Sequence, residues 1–129
     1  MPSFLSPLLH GSADDFRLQN SRNQAIVANH LLTAFDSVSR NRGLLRHESL
    51  AEGDALIIAP TNAIHTFFMQ FAIDVVFANR DGFVMKVCEA VRPWRLAAAW
   101  RGYAVIELAA GSLERSSTAR GDRLVVVAR

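Results

Sequence analysis

The feature that most constrains this chain is the pair of segments flanking Asn79-Arg80-Asp81-Gly82. On the N-terminal side the odd positions run His65, Phe67, Met69, Phe71, Ile73, Val75 and Phe77, while the even ones include Thr66, Gln70 and Asp74. A period of two lines one face of an extended chain with apolar side chains, so it predicts strand over 65–77. Asp-Gly tolerates the positive φ angles of a tight hairpin, and FVMKVCEAV beyond it supplies the returning strand. Two antiparallel strands meeting at this turn anchor whatever else the chain builds.

The remaining segments read as more short strands. QAIVANHLL (Gln24 to Leu32) has a β-branched centre, and ALIIAP after the Glu52-Gly53-Asp54 turn stops at Pro60, which cannot donate to a sheet ladder. YAVIELAAG is a further strand, and Gly121-Asp122 turns the chain into a terminal strand, RLVVVA. Asp36 is placed to cap a short helix over SVSRNRGLLRHE, RPWRLAAAWRG reads as a connection or loose helical turn, and Leu113 to Arg115 as a helical turn. The fold class is therefore α+β, mainly β: a small curled antiparallel sheet or partly open barrel with one or two short helices.

Residues 1–23 are polar or broken by Pro2 and Pro7 and are expected to form a tail or extended arm, leaving 24–129 as a single compact domain. A length of 129 residues with 50% hydrophobic and 20% charged side chains excludes intrinsic disorder. No apolar stretch approaches the roughly 20 residues that span a bilayer. MPSFLSPLLHG has no positive leading region and makes a poor secretory signal, so the cytoplasm is the expected compartment. The sole cysteine, Cys88, sits in an alternating apolar segment, as a buried inert thiol does. The net charge of +2 permits an acidic partner without demanding one.

RGLL at Arg42 to Leu45, Glu52-Gly53, IHTFFM with IDVVF between Ile64 and Phe77, Asp81-Gly82, RPW at Arg92 to Trp94, IEL followed by Gly111, and Gly121-Asp122 stand in one order. This ordered set resembles the small prokaryotic family catalogued as domain of unknown function 192, over about the last three quarters of the chain. The resemblance implies a compact β-rich domain with no established activity. Many such relatives carry an export leader, which this sequence does not show. Thr61, Gln70 and Ala72 depart from the family's pattern, which often has a small residue, a basic residue and a proline at these places. Losing the proline relaxes the bend ahead of Ile73, and Gln70 removes a cation that an anion site would use.

The residues able to carry chemistry are few. His65 opens an apolar run; its imidazole can hold a metal, move a proton or organise a loop. Asp74 and Glu107 are carboxylates inside strand-like apolar segments, and each needs compensation, from turn N–H groups or from an arginine such as Arg95 or Arg42. If His65, Asp74 and Glu107 converge, they make an acid/base pair or a facial set for a divalent metal. Arg92, Arg95 and Arg101 alternate with Trp94 and Trp100, a pattern that either stacks on a ligand and holds an anion or packs a tryptophan beneath solvated arginines. Arg120-Gly121-Asp122 is a turn. Dinucleotide, P-loop, HExxH and GxSxG motifs are absent from the sequence.

These residues imply a non-catalytic module that binds a small polar or anionic ligand or a protein partner. Its pocket is expected to use His65, Thr66, Met69, Trp94, Arg95 and Glu107, with a mouth formed by Thr61 to Thr66, Trp94-Arg95 and the Glu107–Gly111 turn. No cofactor is expected, with a divalent metal at His65 as the exception. Nucleic acid is disfavoured because no recognised binding motif is present. A small hydrolase-like or metal-dependent enzyme using His65 with Asp74 or Glu107 is the alternative, and a structural subunit that self-associates through a sheet edge is the third reading.

Overall fold

The structure, a computed structural model, describes residues 2–36, 40 and 50–129. The turn that the sequence announces is in place: Asn79 accepts from the backbone of Asp81 and Phe83 through Oδ1, Gly82 takes φ +92°, and the turn joins β6 (Ile73–Ala78) to β7 (Val84–Val91) as an antiparallel pair. Glycine is required at 82, since a Cβ there would stand 2.4 Å from the Leu124 carbonyl oxygen.

β9 (Ala104–Ala109) lies between β6 and β4 (Asp54–Ile58) at the centre of a five-stranded sheet, with β3 (His30–Ala34) beyond β4. The β3–β4 pair is parallel; the other three pairs are antiparallel. Both faces of this sheet are covered, which is why β6 and β9 read as nearly unbroken apolar runs. On one face Val76, Ile106 and Leu108 pack with Leu18, Leu31 and Leu124. On the other, Val75, Phe77 and Val105 pack with Leu56, Ile58 and Met69.

A second sheet orders β10 (Leu124–Ala128), β1 (Phe16–Asn20) and β2 (Ile26–Ala28). It is fastened to the turn after α2 (Ser112–Ser116): Asp122 accepts from Arg22 Nε at 2.6 Å and from Asn20 Nδ2 at 2.9 Å. The third sheet is a two-stranded ribbon, β5 (Ala63–His65) with β8 (Leu96–Ala98), laid over the second face through Ile64 and Ala97. The architecture is mainly β, with open sheets and no closed barrel.

Four expectations are corrected. Residues 1–23 are not a tail: Leu5 and Leu8, which flank the start of α1 (Ser6–His10), are buried in the first core, and β1 is the middle strand of its sheet. The boundary at 24 therefore falls inside the fold. The Gln24–Leu32 strand is two strands in different sheets, parted at Asn29. The run 65–77 is not continuous; the chain leaves β5 after His65, passes through Phe68 at φ +66°, and re-enters a sheet only at Ile73. RPWRLAAAWRG contains strand β8 rather than a helical turn. The helix expected after Asp36 lies outside the described residues, apart from Arg40.

Candidate functional site

His65 ends β5 with its side chain on the outer face of the ribbon, because the neighbouring Ile64 faces the core. Its Nδ1 accepts from the Phe67 N–H at 3.3 Å, so the imidazole helps to shape the turn that follows. Thr66 is the hub of that turn. Its hydroxyl donates to Arg92 O at 2.6 Å and accepts from the Arg95 N–H at 2.8 Å, and its carbonyl accepts from the Trp94 and Met69 N–H groups. A buried threonine thus ties residues 66–69 to residues 92–95. Met69 turns inward and belongs to the second core. Both were expected at a ligand, and both are instead part of the support.

What this support holds up is an outward-facing aromatic surface. Phe67 stacks with Trp94 at 5.7 Å between ring centroids, Phe68 meets Trp94 edge-on at 4.6 Å, and His65 lies 4.9 Å from Phe67. Phe68 is 68% exposed and Trp94 56%; Leu96, which opens β8, is 74% exposed, and Trp100, just past the other end of β8, is 83% exposed. Phe68, Trp94 and Arg101 all take left-handed φ angles near +65°, a conformation that costs an L-residue of the order of 1 kcal/mol or more and is kept only where surrounding bonds enforce it. For Phe68 and Trp94 those bonds are the ones centred on Thr66. Arg92, Arg95 and Arg101 are exposed around the rings, and Lys86 Nζ bridges from β7 to Ala98 O at 3.0 Å.

The carboxylates do not join this surface or each other. Asp74 is registered against Leu108, on the first face, and Glu107 against Val75 and Leu56, on the second, so the two acids point to opposite sides of the sheet. Asp74 is 1% exposed and fully engaged. Oδ1 accepts from the Ala90 N–H at 2.8 Å, and Oδ2 from the Gly111 and Leu113 N–H groups at 3.0 Å each, which caps the otherwise unpaired amides at the start of α2. Glu107 is 3% exposed, and its Oε2 has no hydrogen-bond partner among the described residues. Burial among apolar side chains raises its pKa to about 7.

The expected mouth therefore does not form. Thr61–Thr66 and Trp94-Arg95 share the ribbon, whereas Glu107 is interior and Gly111 sits on the far face with Asp74. Among the described residues there is no group of three His, Cys, Asp or Glu side chains placed to hold a metal, and no helix long and apolar enough to cross a membrane. Cys88 is half-buried against the second core. Phe68, Leu96 and Trp100 were not on the list of expected contacts. The guanidinium–indole alternation pointed to Trp100, and Phe68 shares the even phase of Thr66 and Gln70, apart from the apolar odd positions.

The fold and this surface define a small β-rich domain of open sheets carrying a raised aromatic ribbon. The chain belongs to the family of uncharacterised proteins named domain of unknown function 192, whose pattern matches residues 18–126. Among solved structures it is similar to a proposed transcription regulator from Sinorhizobium meliloti, with a TM-score of 0.71 at 21% identity over 84% of this chain and 89% of that one. It is also similar to a protein of unknown function from Novosphingobium aromaticivorans, with a TM-score of 0.73 at 18% identity over 85% of this chain and 82% of that one. At these identities the likeness is one of fold. No curated protein matches the chain.

Proposed function

We propose that the protein is a non-catalytic binding module whose β5–β8 ribbon takes a polypeptide segment bearing acidic and apolar side chains. The observation that carries this reading is the crowding of exposed apolar surface: of the seven large hydrophobic side chains exposed among the described residues, Phe68, Trp94, Leu96 and Trp100 sit on or beside the ribbon. Clustered exposed aromatics mark interaction sites, whereas scattered ones do not. The arginines and Lys86 around them favour an acidic partner. The grooves along the ribbon are open to solvent, which suits a chain lying across them better than a small molecule needing enclosure. The hydrolase alternative finds no support in the placement of its residues, since His65 faces outward, Asp74 is saturated by backbone amides on the face away from the ribbon and Glu107 is sealed in the interior of the second face. The reading requires no metal or cofactor and takes the cytoplasm as the working compartment.

An array of defined random peptides tests it, probed with the wild type and with the double variant Phe68→Ser/Trp94→Ser. The wild type is expected to retain peptides enriched in Asp and Glu next to aliphatic residues, and the double variant to lose at least tenfold of that signal while keeping its circular dichroism spectrum. Equal retention by both proteins, no retained peptide, or tighter binding of a single-stranded oligonucleotide would overturn the reading.

A further inference from the structure

β5 and β8 pair with Ala63 opposite Ala98, Ile64 opposite Ala97 and His65 opposite Leu96. The flanking bonds, from Ala99 N–H to Asn62 O at 2.9 Å and from Thr66 N–H to Arg95 O at 2.8 Å, fix the phase of the ladder. Antiparallel pairs alternate between hydrogen-bonded and non-bonded, so Ile64 and Ala97 exchange bonds while the N–H and C=O groups of Leu96 and Ala98 point away from β5. Of those four outward groups, only the Ala98 carbonyl has a partner among the described residues, the Lys86 ammonium. The opposite edge of the ribbon is closed only at Ala63, where the Thr61 hydroxyl donates to the carbonyl at 3.0 Å and accepts from the N–H at 3.4 Å; the outward backbone groups of His65 have no partner among the described residues, but no lysine or groove-lining strand faces them as Lys86 and β7 face β8.

Two open grooves border β8 on the side of Lys86. One is lined by Met85–Val87 of β7 and by Ala98–Trp100, with Arg120 at its rim. The other is lined by Leu96–Ala98 of β8, by Ala63 and Ile64 of β5 and by Lys86, so it touches both strands of the ribbon. Successive side chains of a strand point to opposite faces, so the consecutive residues Met85–Val87 of β7 in the first groove and Leu96–Ala98 of β8 in the second line these grooves with backbone as well as side chains. Unpaired edges are templates for another strand, and a lysine laid across one is a known way of guarding it.

From this edge we infer that the partner segment binds by strand addition: an extended acidic polypeptide pairs with the outer edge of β8, in the gap between β8 and β7. The inference rests on the ribbon being the docking surface and names how that surface reads its ligand. Only a polypeptide backbone offers alternating donors and acceptors at the two-residue spacing, about 6.6 Å, that separates Leu96 from Ala98. A carboxylate of the incoming strand pairs with the Lys86 ammonium and draws it off the Ala98 carbonyl, which then accepts an N–H from the new strand. Apolar side chains on its other face meet Leu96 and Trp100. Arg120 and Arg95 extend the cationic border, and that border, together with the net charge of +2, opposes a second copy of this chain as the occupant.

The test titrates an end-capped decapeptide of alternating glutamate and valine into the full-length protein, following tryptophan fluorescence, and repeats it with the peptide N-methylated at its glutamates or at its valines. The parent peptide is expected to bind, and at least one methylated form to bind about tenfold or more weakly, since methylation removes the pairing N–H groups and keeps charge and side chains. Leu96→Pro, which deletes one outward N–H without touching the β5 ladder, is expected to weaken binding similarly, whereas Leu96→Ala retains most of it. Equal binding of all three peptides would overturn strand addition and leave the polypeptide-binding reading standing. Failure of the parent peptide to bind, where arrayed peptides do, would overturn the acidic strand as occupant. A dimer of the free protein that Leu96→Pro abolishes would assign the edge to a second copy and overturn it equally. Binding of no peptide in either experiment is failure of the broader reading.

Discussion

Replacing Asp74 with alanine is expected to lower stability by about 4 kcal/mol, a fall in Tm of about 10 °C or more for a domain of this length. The side chain is 1% exposed and satisfies three backbone amides, those of Ala90, Gly111 and Leu113. Alanine leaves all three donors without an acceptor in a space water does not reach, and an unmet buried donor costs about 1–3 kcal/mol. Two elements loosen together: the irregular stretch of β7 at Ala90, where φ is +49°, and the start of α2. Asp74→Asn keeps the shape and one acceptor oxygen, so it is expected to lose about half as much. Thermal denaturation of the two variants measures this directly, and an alanine variant melting within about 2 °C of the wild type would contradict the structural role. Because Asp74 faces away from the ribbon, Asp74→Asn is expected to bind peptide as the wild type does.

Glu107 makes the opposite kind of contribution. Its folded-state pKa of about 7 lies above the ordinary 4.5, with burial as the cause. The folded protein therefore keeps a proton that the unfolded chain begins to shed near pH 4.5, and stability falls as pH rises from there to about 7 and stays lowered above it. That displacement corresponds to about 3 kcal/mol. Glu107→Gln carries no titrating proton, so its Tm should track the wild type near pH 4.5 and exceed it by about 10 °C at pH 8. Asp122 does not confuse the comparison. The hydrogen bond from Arg22 holds its pKa at about 2, so its contribution is present above the ordinary 3.8 and fades only as pH falls toward 2. Parallel Tm curves for wild type and Glu107→Gln between pH 4.5 and 8 would contradict an unpaired buried carboxyl at 107.

The turns were the legible part of this sequence. Asp81-Gly82 and Gly121-Asp122 need backbone angles that few residues supply, so their chemistry is local and can be read without a fold. The strand edges were less so. Alternation over 65–77 records which side chains are buried, and Thr66 and Met69 are buried by a turn rather than by a continuous strand. β6 itself shows no alternation, being covered on both faces. Residues 1–23 looked like a tail because Leu5, Leu8 and Leu18 find their partners about a hundred residues away, at Leu113 and Leu124. For the acids, the cost of burial predicted compensation at both positions. Asp74 found it in amides that only the tertiary structure brings together, and among the described residues Glu107 found none for Oε2. Trp94 and Arg95 were on the expected list because indole and guanidinium alternate in sequence; Phe68 reaches the same surface only through its left-handed backbone.

The central claim is that the β5–β8 ribbon is the docking surface. Amide chemical shifts of isotope-labelled protein, followed as the acidic decapeptide is added, test it residue by residue. The largest changes are expected at Leu96, Ala98 and Trp100, with smaller ones at Phe68 and Trp94 and none at Asp74. Changes concentrated away from the ribbon, or spread evenly over the arginines without movement at Leu96 and Ala98, would contradict it.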